Sequence, residues 1–186
     1  MPPKVKITKE KIISTALQLV RNNGEVALNA RNIAASLGCS TQPVFSNFAT
    51  MEELQQEVIA AAYEHYTKYL ANEAESGKYP RYKAFGMAYI RFAKEEKELF
   101  KLLYMRNRTD EVIPETDPLS IQMESYVQSY TGLDIMDARL FHLEMWAYVH
   151  GIATMLATSY IDLDWELISR MVTDAYQGHR KLYGME

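Results

Sequence analysis

The run NARNIAASLGCSTQPVFSNFATMEEL, residues 29–54, decides the fold. Asn29 can accept hydrogen bonds from the backbone N–H groups that open a helix, and Ala30, Ile33, Ala34 and Leu37 then share one face of it. Gly38 ends that helix at a position where a left-handed backbone carries no steric cost, and Ser40 can cap the next helix, whose inner face is Val44 and Phe48. Two short helices joined by Gly38-Cys39-Ser40 have the spacing of a helix-turn-helix, in which the first helix braces the second and the second enters a DNA major groove. With Val44 and Phe48 turned to the brace, Thr41, Gln42, Ser46 and Asn47 face outward with short hydrogen-bonding groups suited to base edges or phosphates. Any surface helix also has a polar face, so this element alone does not decide its use.

The surrounding sequence extends the same helical pattern. Upstream, Thr8 stands before a stripe of Ile12, Ile13, Ala16, Leu17 and Val20 that stops at Asn22-Asn23-Gly24. Downstream, Thr50 precedes Glu52 and Glu53 in the first turn of a long helix reaching about Ser76-Gly77. Two helical stretches follow Pro80 as far as Tyr104, residues 105–118 read as a long loop, and further helices are expected at about 119–131, 135–160 and 165–183. Asp134 and Asp164 are placed to cap the last two. The expected fold is all-α, with about nine helices: an N-terminal helix-turn-helix unit over residues 1–50 and a larger helical bundle over 51–186.

Charge divides along the same line. Residues 1–50 carry Lys4, Lys6, Lys9, Lys11, Arg21 and Arg31 against Glu10 and Glu25, a net charge of +4 in a chain whose total is −4. A basic end on an acidic body turns one face toward a polyanion and holds the rest away from it. No stretch approaches the ~18 apolar residues of a membrane span, and MPPKVKITKEK lacks the apolar run of a signal peptide, so a cytoplasmic protein is expected. The single cysteine, Cys39, suits a reducing compartment. There is no Gly-rich phosphate loop, H-E-x-x-H or nucleophile elbow, and the histidines at 65, 142, 150 and 179 show no metal-site spacing, so neither an enzyme nor a cofactor is expected.

Residues 29–54 resemble the TetR family of bacterial regulators. Ile33, Ala34, Gly38, Ser40, Val44, Phe48, Glu52, Glu53 and Leu54 fall in the family's register, and the first helix ends at the expected distance upstream. The resemblance implies a homodimer that binds double-stranded operator DNA, most often as a repressor, and is released by a small molecule bound in the C-terminal body. Carried over residue by residue, it points to Thr8, Lys9, Asn29, Arg31, Ser40, Thr41, Gln42, Phe45, Ser46 and Asn47 as DNA contacts. Two positions depart from the pattern. Phe45 stands where the family usually has a tyrosine, and Met51 where it commonly has a lysine, so two sequence-independent phosphate contacts are missing and a shallower salt dependence is expected.

The body offers candidates for the other two roles. Residues 140–161, LFHLEMWAYVHGIATMLATSYI, are apolar on nearly every face and must be enclosed by neighbours or by a partner chain. Trp165, Ile168, Val172, Ala175 and His179 follow at three- and four-residue steps, a helix-packing seam that serves either a dimer, as in the family's four-helix interface, or the interior of one subunit. Trp146, His150 and Gly151 resemble the Trp-His-Gly signature of one C-terminal subclass of these regulators. Tyr66, Tyr89, Phe92, Met105, Met123, Tyr126, Trp146 and His150 could line a deformable, mainly apolar pocket for an amphipathic or aromatic effector, though most such side chains serve as plain core. A helix-turn-helix that has lost DNA binding and acts as a protein-interaction dimer is the alternative that Phe45 and Met51 leave open.

Overall fold

The computed structural model describes residues 7–75, 77–108 and 118–185. Among them are nine α-helices and no strand: α1 Lys9–Asn23, α2 Ala30–Leu37, α3 Gln42–Asn47, α4 Met51–Ala74, α5 Arg81–Glu95, α6 Lys97–Tyr104, α7 Pro118–Thr131, α8 Ile135–Ala157 and α9 Trp165–Leu182, with a 3-10 turn at Glu25–Ala27. Lys4 and Lys6, and most of the expected 105–118 loop, lie outside the described residues.

The helix ends follow from their chemistry. Thr8 Oγ1 accepts from Lys11 N at 3.3 Å, Asn29 Oδ1 from Asn32 N at 2.9 Å, and Asp164 Oδ1 from Leu167 N at 2.7 Å. Asp134 Oδ1 accepts from both Met136 N and Asp137 N at 2.9 Å. Each bond satisfies a donor that the helix itself leaves orphaned. Thr50 Oγ1 accepts from Glu53 N while Glu53 Oε2 reaches back to Ala49 N, a reciprocal box that fixes how α4 begins directly after α3. Gly38 closes α2 at φ 65° and ψ 34°, its N–H directed to the carbonyls of Ala34 and Ala35. A Cβ there would meet no atom, so only the backbone conformation requires glycine.

Two boundaries differ from expectation. Thr41, not Ser40, flanks α3, and it makes no side-chain cap: its own backbone is helical, Pro43 lacks an N–H, and the Val44 N–H goes to the Thr41 carbonyl. The eighth helix stops at Ala157 rather than near residue 160, where Thr158 turns its hydroxyl onto the carbonyls of Thr154 and Met155 and Ser159 takes φ 56°.

The chain forms two compact units, the first comprising residues up to Lys68 with Glu96–Arg106, the second Tyr69–Glu95 with Asn107–Glu186. In the first, Ile12, Ala16 and Val20 of α1, Ile33 and Ala34 of α2, Val44, Phe48, and Leu54 and Val58 of α4 are buried, together with Leu99, Phe100, Leu102 and Leu103 of α6. Burial at every fourth residue of α1 draws an apolar stripe into this core. In the second unit, α5 packs on α8 and α9, and α7 on α8. Phe141 is fully buried there and is surrounded by the rings of Tyr82, Tyr176, His179 and Tyr183 at 5.6–6.3 Å between centroids.

Candidate functional site

The helix-turn-helix is built by burying one face of α2 and one face of α3. Val44 and Phe48 turn inward, and α3 leaves Gln42, Phe45 and Ser46 exposed and Thr41 half-buried beside them. Phe45 keeps 55% of its surface exposed on this helix. It is an uncovered ring among polar neighbours. Ser46 Oγ donates to Gln42 O at 2.8 Å, which still leaves its oxygen free to accept from outside. Asn47 is half-buried and donates through Nδ2 to Pro43 O, so its amide braces α3 with one of its groups. Ser40 is exposed in the turn itself.

Beside α3 the first turn of α2 opens onto a shallow concavity of about 540 Å³ lined by Asn29, Ala30, Arg31 and Asn32. Arg31 is exposed and engages no other described residue, so its guanidinium is available to an incoming anion. Asn29 uses Oδ1 as the helix cap, which leaves its amide N–H group for a ligand. Asn32, which the sequence reading did not single out, joins the same surface while donating to Ala27 O. Its signal lay in the helical register, one position after Arg31. Thr8 is exposed at the start of α1 with its oxygen capping that helix. Lys9 is engaged elsewhere: its ammonium meets Glu57 at 2.8 Å and Glu53 at 3.6 Å and lies over the Phe48 ring, tying α1 to α4. These carboxylates raise the lysine's pKa, the Glu57 hydrogen bond being the largest cause.

The eight pocket candidates are divided between the two units. Tyr66 is buried in the first unit against Tyr63 and Tyr104, and Met105 is 41% exposed in the same unit. In the second unit Phe92 is buried edge-on to Tyr69, Met123 is buried, and Tyr126 lies parallel between Tyr82 and Tyr130 under the Arg81 guanidinium. Three of the candidates do meet. Tyr89 and His150 Nδ1 are 2.7 Å apart, and the imidazole stacks on Trp146 at 4.9 Å with 19° between planes. One turn apart on α8, Trp146 and His150 thus present a continuous aromatic surface whose far edge is exposed.

Burial holds the His150 pKa below its ordinary 6.5. Neutral imidazole is also the form whose Nδ1 accepts from a tyrosine hydroxyl. A histidine with a depressed folded pKa binds fewer protons than its unfolded counterpart. Its stability contribution is full above about pH 6.5 and is lost as pH falls from there toward the folded value. The melting temperature of the wild type should therefore drop more steeply between pH 7 and pH 5.5 than that of His150→Gln. Parallel curves would exclude this role for His150.

The expected seam on α9 is divided. Ile168 and Val172 are buried within the subunit, and Ala175 and His179 pack around Phe141. Trp165 lies beneath the Arg91 guanidinium and the Lys94 ammonium at 4.9 and 5.4 Å. Exposed apolar side chains on these two helices include Met136, Leu140, Leu143 and Trp146 of α8, and Leu167 and Leu182 of α9. Among the described residues no helix is long and apolar enough to cross a membrane.

Comparison with known proteins places this architecture. Residues 82–175 match the family described as Tetracyclin repressor-like, C-terminal domain. No curated protein sequence matches the chain. Among solved structures, a TetR-like transcriptional regulator from Rhodococcus sp. RHA1 is similar at a TM-score of 0.66 and 13% identity, covering 98% of this chain and 100% of its own. The multidrug binding protein EbrR, solved with imidazole, gives 0.56 and 18%, covering 90% of this chain and 88% of its own. A TetR family member from Streptomyces coelicolor A3 gives 0.58 and 18%, covering 90% and 96%. These likenesses carry the fold from end to end, and the family match over half of the sequence carries the kinship: the chain belongs to the TetR family of transcriptional regulators.

Proposed function

We propose that the protein is a cytoplasmic, homodimeric repressor that binds operator DNA through residues 1–50 and leaves it when a small effector binds the body, residues 51–186. The observation that carries this reading is the division of α3: Val44 and Phe48 are buried while Gln42, Phe45 and Ser46 stand uncovered beside the unpaired Arg31. A helix braced on one side and bare on the other fits a groove that admits one helix. Base reading falls to Thr41, Gln42, Phe45 and Ser46, and backbone contact to Thr8, Asn29, Arg31 and Ser40. Lys9 and Asn47 mainly hold the head in shape.

Selection of bound duplexes from random DNA tests this directly. An enriched twofold-symmetric sequence is the expected result, and no enrichment would overturn the reading. On the selected duplex, Gln42→Ala should cost about 1–3 kcal/mol and relax preference at one position of each half-site. Arg31→Ala should weaken selected and random duplex alike and reduce the slope of log affinity against log salt by about one.

The effector reading is supported by the Tyr89, His150 and Trp146 cluster, where two rings and a neutral imidazole suit a flat, amphipathic or heteroaromatic molecule. EbrR, of like fold, was solved with imidazole. Trp146 and His150, one turn apart on α8 and stacked, with Gly151 directly after them, support the Trp-His-Gly subclass. For the dimer, the exposed Leu140, Leu143 and Trp146 of α8, with Leu167 of α9, offer the apolar surface that a second copy covers, while Trp165, Ile168, Val172, Ala175 and His179 support it from within. Sedimentation at micromolar concentration should give twice the 21.4 kDa chain mass, and a 21.4 kDa species would contradict the dimer.

A further inference from the structure

Lys83 of α5 differs from the other half-buried lysines whose partners are known. Lys9, Lys94 and Lys101 each meet a carboxylate at 2.6–2.8 Å. The Lys83 ammonium instead donates to two hydroxyls of α9, Ser169 Oγ at 2.7 Å and Thr173 Oγ1 at 2.8 Å, and lies 4.9 Å from the centre of the Tyr79 ring. Among the described residues no carboxylate lies within 4.0 Å of it. A partly desolvated charge held by neutral oxygens keeps most of its attraction for an anion.

Along the chain the stretch around Lys83 is basic, although Arg91 and Lys94 within it meet Glu73 and Asp162. From residue 77 to residue 94 the sequence contains Lys78, Arg81, Lys83, Arg91 and Lys94 and no aspartate or glutamate. Lys78 lies 5.5 Å from the same Tyr79 ring and has no ion-pair partner among the described residues. Thr173 passes its own hydroxyl proton to Ser169 O at 2.9 Å. Ser169 Oγ accepts from Lys83 and has its proton free to donate, as has the Tyr79 hydroxyl. The third N–H of Lys83 and these two hydroxyl protons are donors that await an acceptor.

We propose that Lys83, Ser169, Tyr79 and Lys78 form a binding site for the oxyanion group, carboxylate or phosphate, of a small molecule. The two hydroxyls hold the Lys83 ammonium in place, so little side-chain freedom is lost when an anion arrives, and Lys78 closes over it from solvent. The site lies wholly in the second unit and does not depend on the DNA-binding reading.

Thermal unfolding of the full chain at constant ionic strength tests it, with chloride replaced in one arm by phosphate and in another by acetate. The effective arm identifies the source. At about ten times its midpoint concentration the effective anion should raise the melting temperature by about 3–5 °C over chloride. Lys83→Met should abolish the rise, and Lys11→Met, which removes an exposed charge from α1, should keep it. Ser169→Ala, which leaves the Thr173 bond in place, should raise the midpoint about tenfold and serves if Lys83→Met does not fold. Equal melting in all three salts, or a rise that survives Lys83→Met or is unmoved by Ser169→Ala, would overturn the proposal.

Discussion

Arg21→Ala is expected to destabilise the protein by about 3–5 kcal/mol, more than Glu96→Ala does, although the two substitutions break the same ion pair. Among the described residues Glu96 is the buried charged side chain, at 7% exposure, and it occupies the break between α5 and α6. Arg21, in the last turn of α1, grips it with both arms of the guanidinium: Nε donates to Oε2 at 2.6 Å and Nη2 to Oε1. The arginine is 41% exposed and can turn to water when its partner is removed. The carboxylate cannot, and with Arg21 gone it keeps His65 Nε2 at 3.5 Å as its described polar contact. The cost is therefore the desolvation of an unpaired buried charge, and it falls on the arginine substitution. Arg21→Met with Glu96→Leu should recover most of the loss, because an apolar pair in the same space carries no such penalty. Urea unfolding of the four proteins decides it. A larger loss for Glu96→Ala than for Arg21→Ala would show that the charge is not as enclosed as the structure has it.

Phe48→Ala and Phe45→Ala separate the two faces of the reading head. Phe48 is 2% exposed and Phe45 55%. Truncating Phe48 removes a full ring from the core joining α3 to α4 and should cost about 3–5 kcal/mol of stability, with loss of binding to every duplex as α3 comes free of its brace. Truncating Phe45 should change stability by less than about 0.5 kcal/mol and alter DNA binding alone. Melting curves and duplex titrations on both variants measure the contrast. Comparable destabilisation by the two would mean that α3 has another orientation.

Much of this was legible in the sequence because it is local. Asn29, Gly38, Asp134 and Asp164 act through backbone groups within four residues, so their roles can be read from neighbours in the chain. The inward direction of Val44 and Phe48 follows from the helical period in the same way. Pro43 is equally readable as a missing donor in the first turn of α3, whereas Ser40 suits a cap by residue type alone. What escaped was long-range. Lys9 looks like a free cation until Glu57, 48 residues on, is brought beside it. The Arg21–Glu96 pair spans 75 residues, and the helix break at Glu96 has no glycine or proline to announce it. The α9 stripe shows the same limit in another form: a helical period says that a face is covered, and it does not say whether the cover is the same chain or a second one. Ile168 and Val172 are covered by their own chain, whereas Leu140 and Leu143 of α8 are left open.

Methylation interference on a selected duplex tests the central claim, that α3 reads the major groove in a paired head. Methyl groups on guanine N7 project into the major groove and those on adenine N3 into the minor groove. The account predicts two clusters of N7 interference on one face of the duplex, separated by about 34–36 Å or a multiple of it. Interference confined to adenine N3, or a single unpaired cluster, would contradict it.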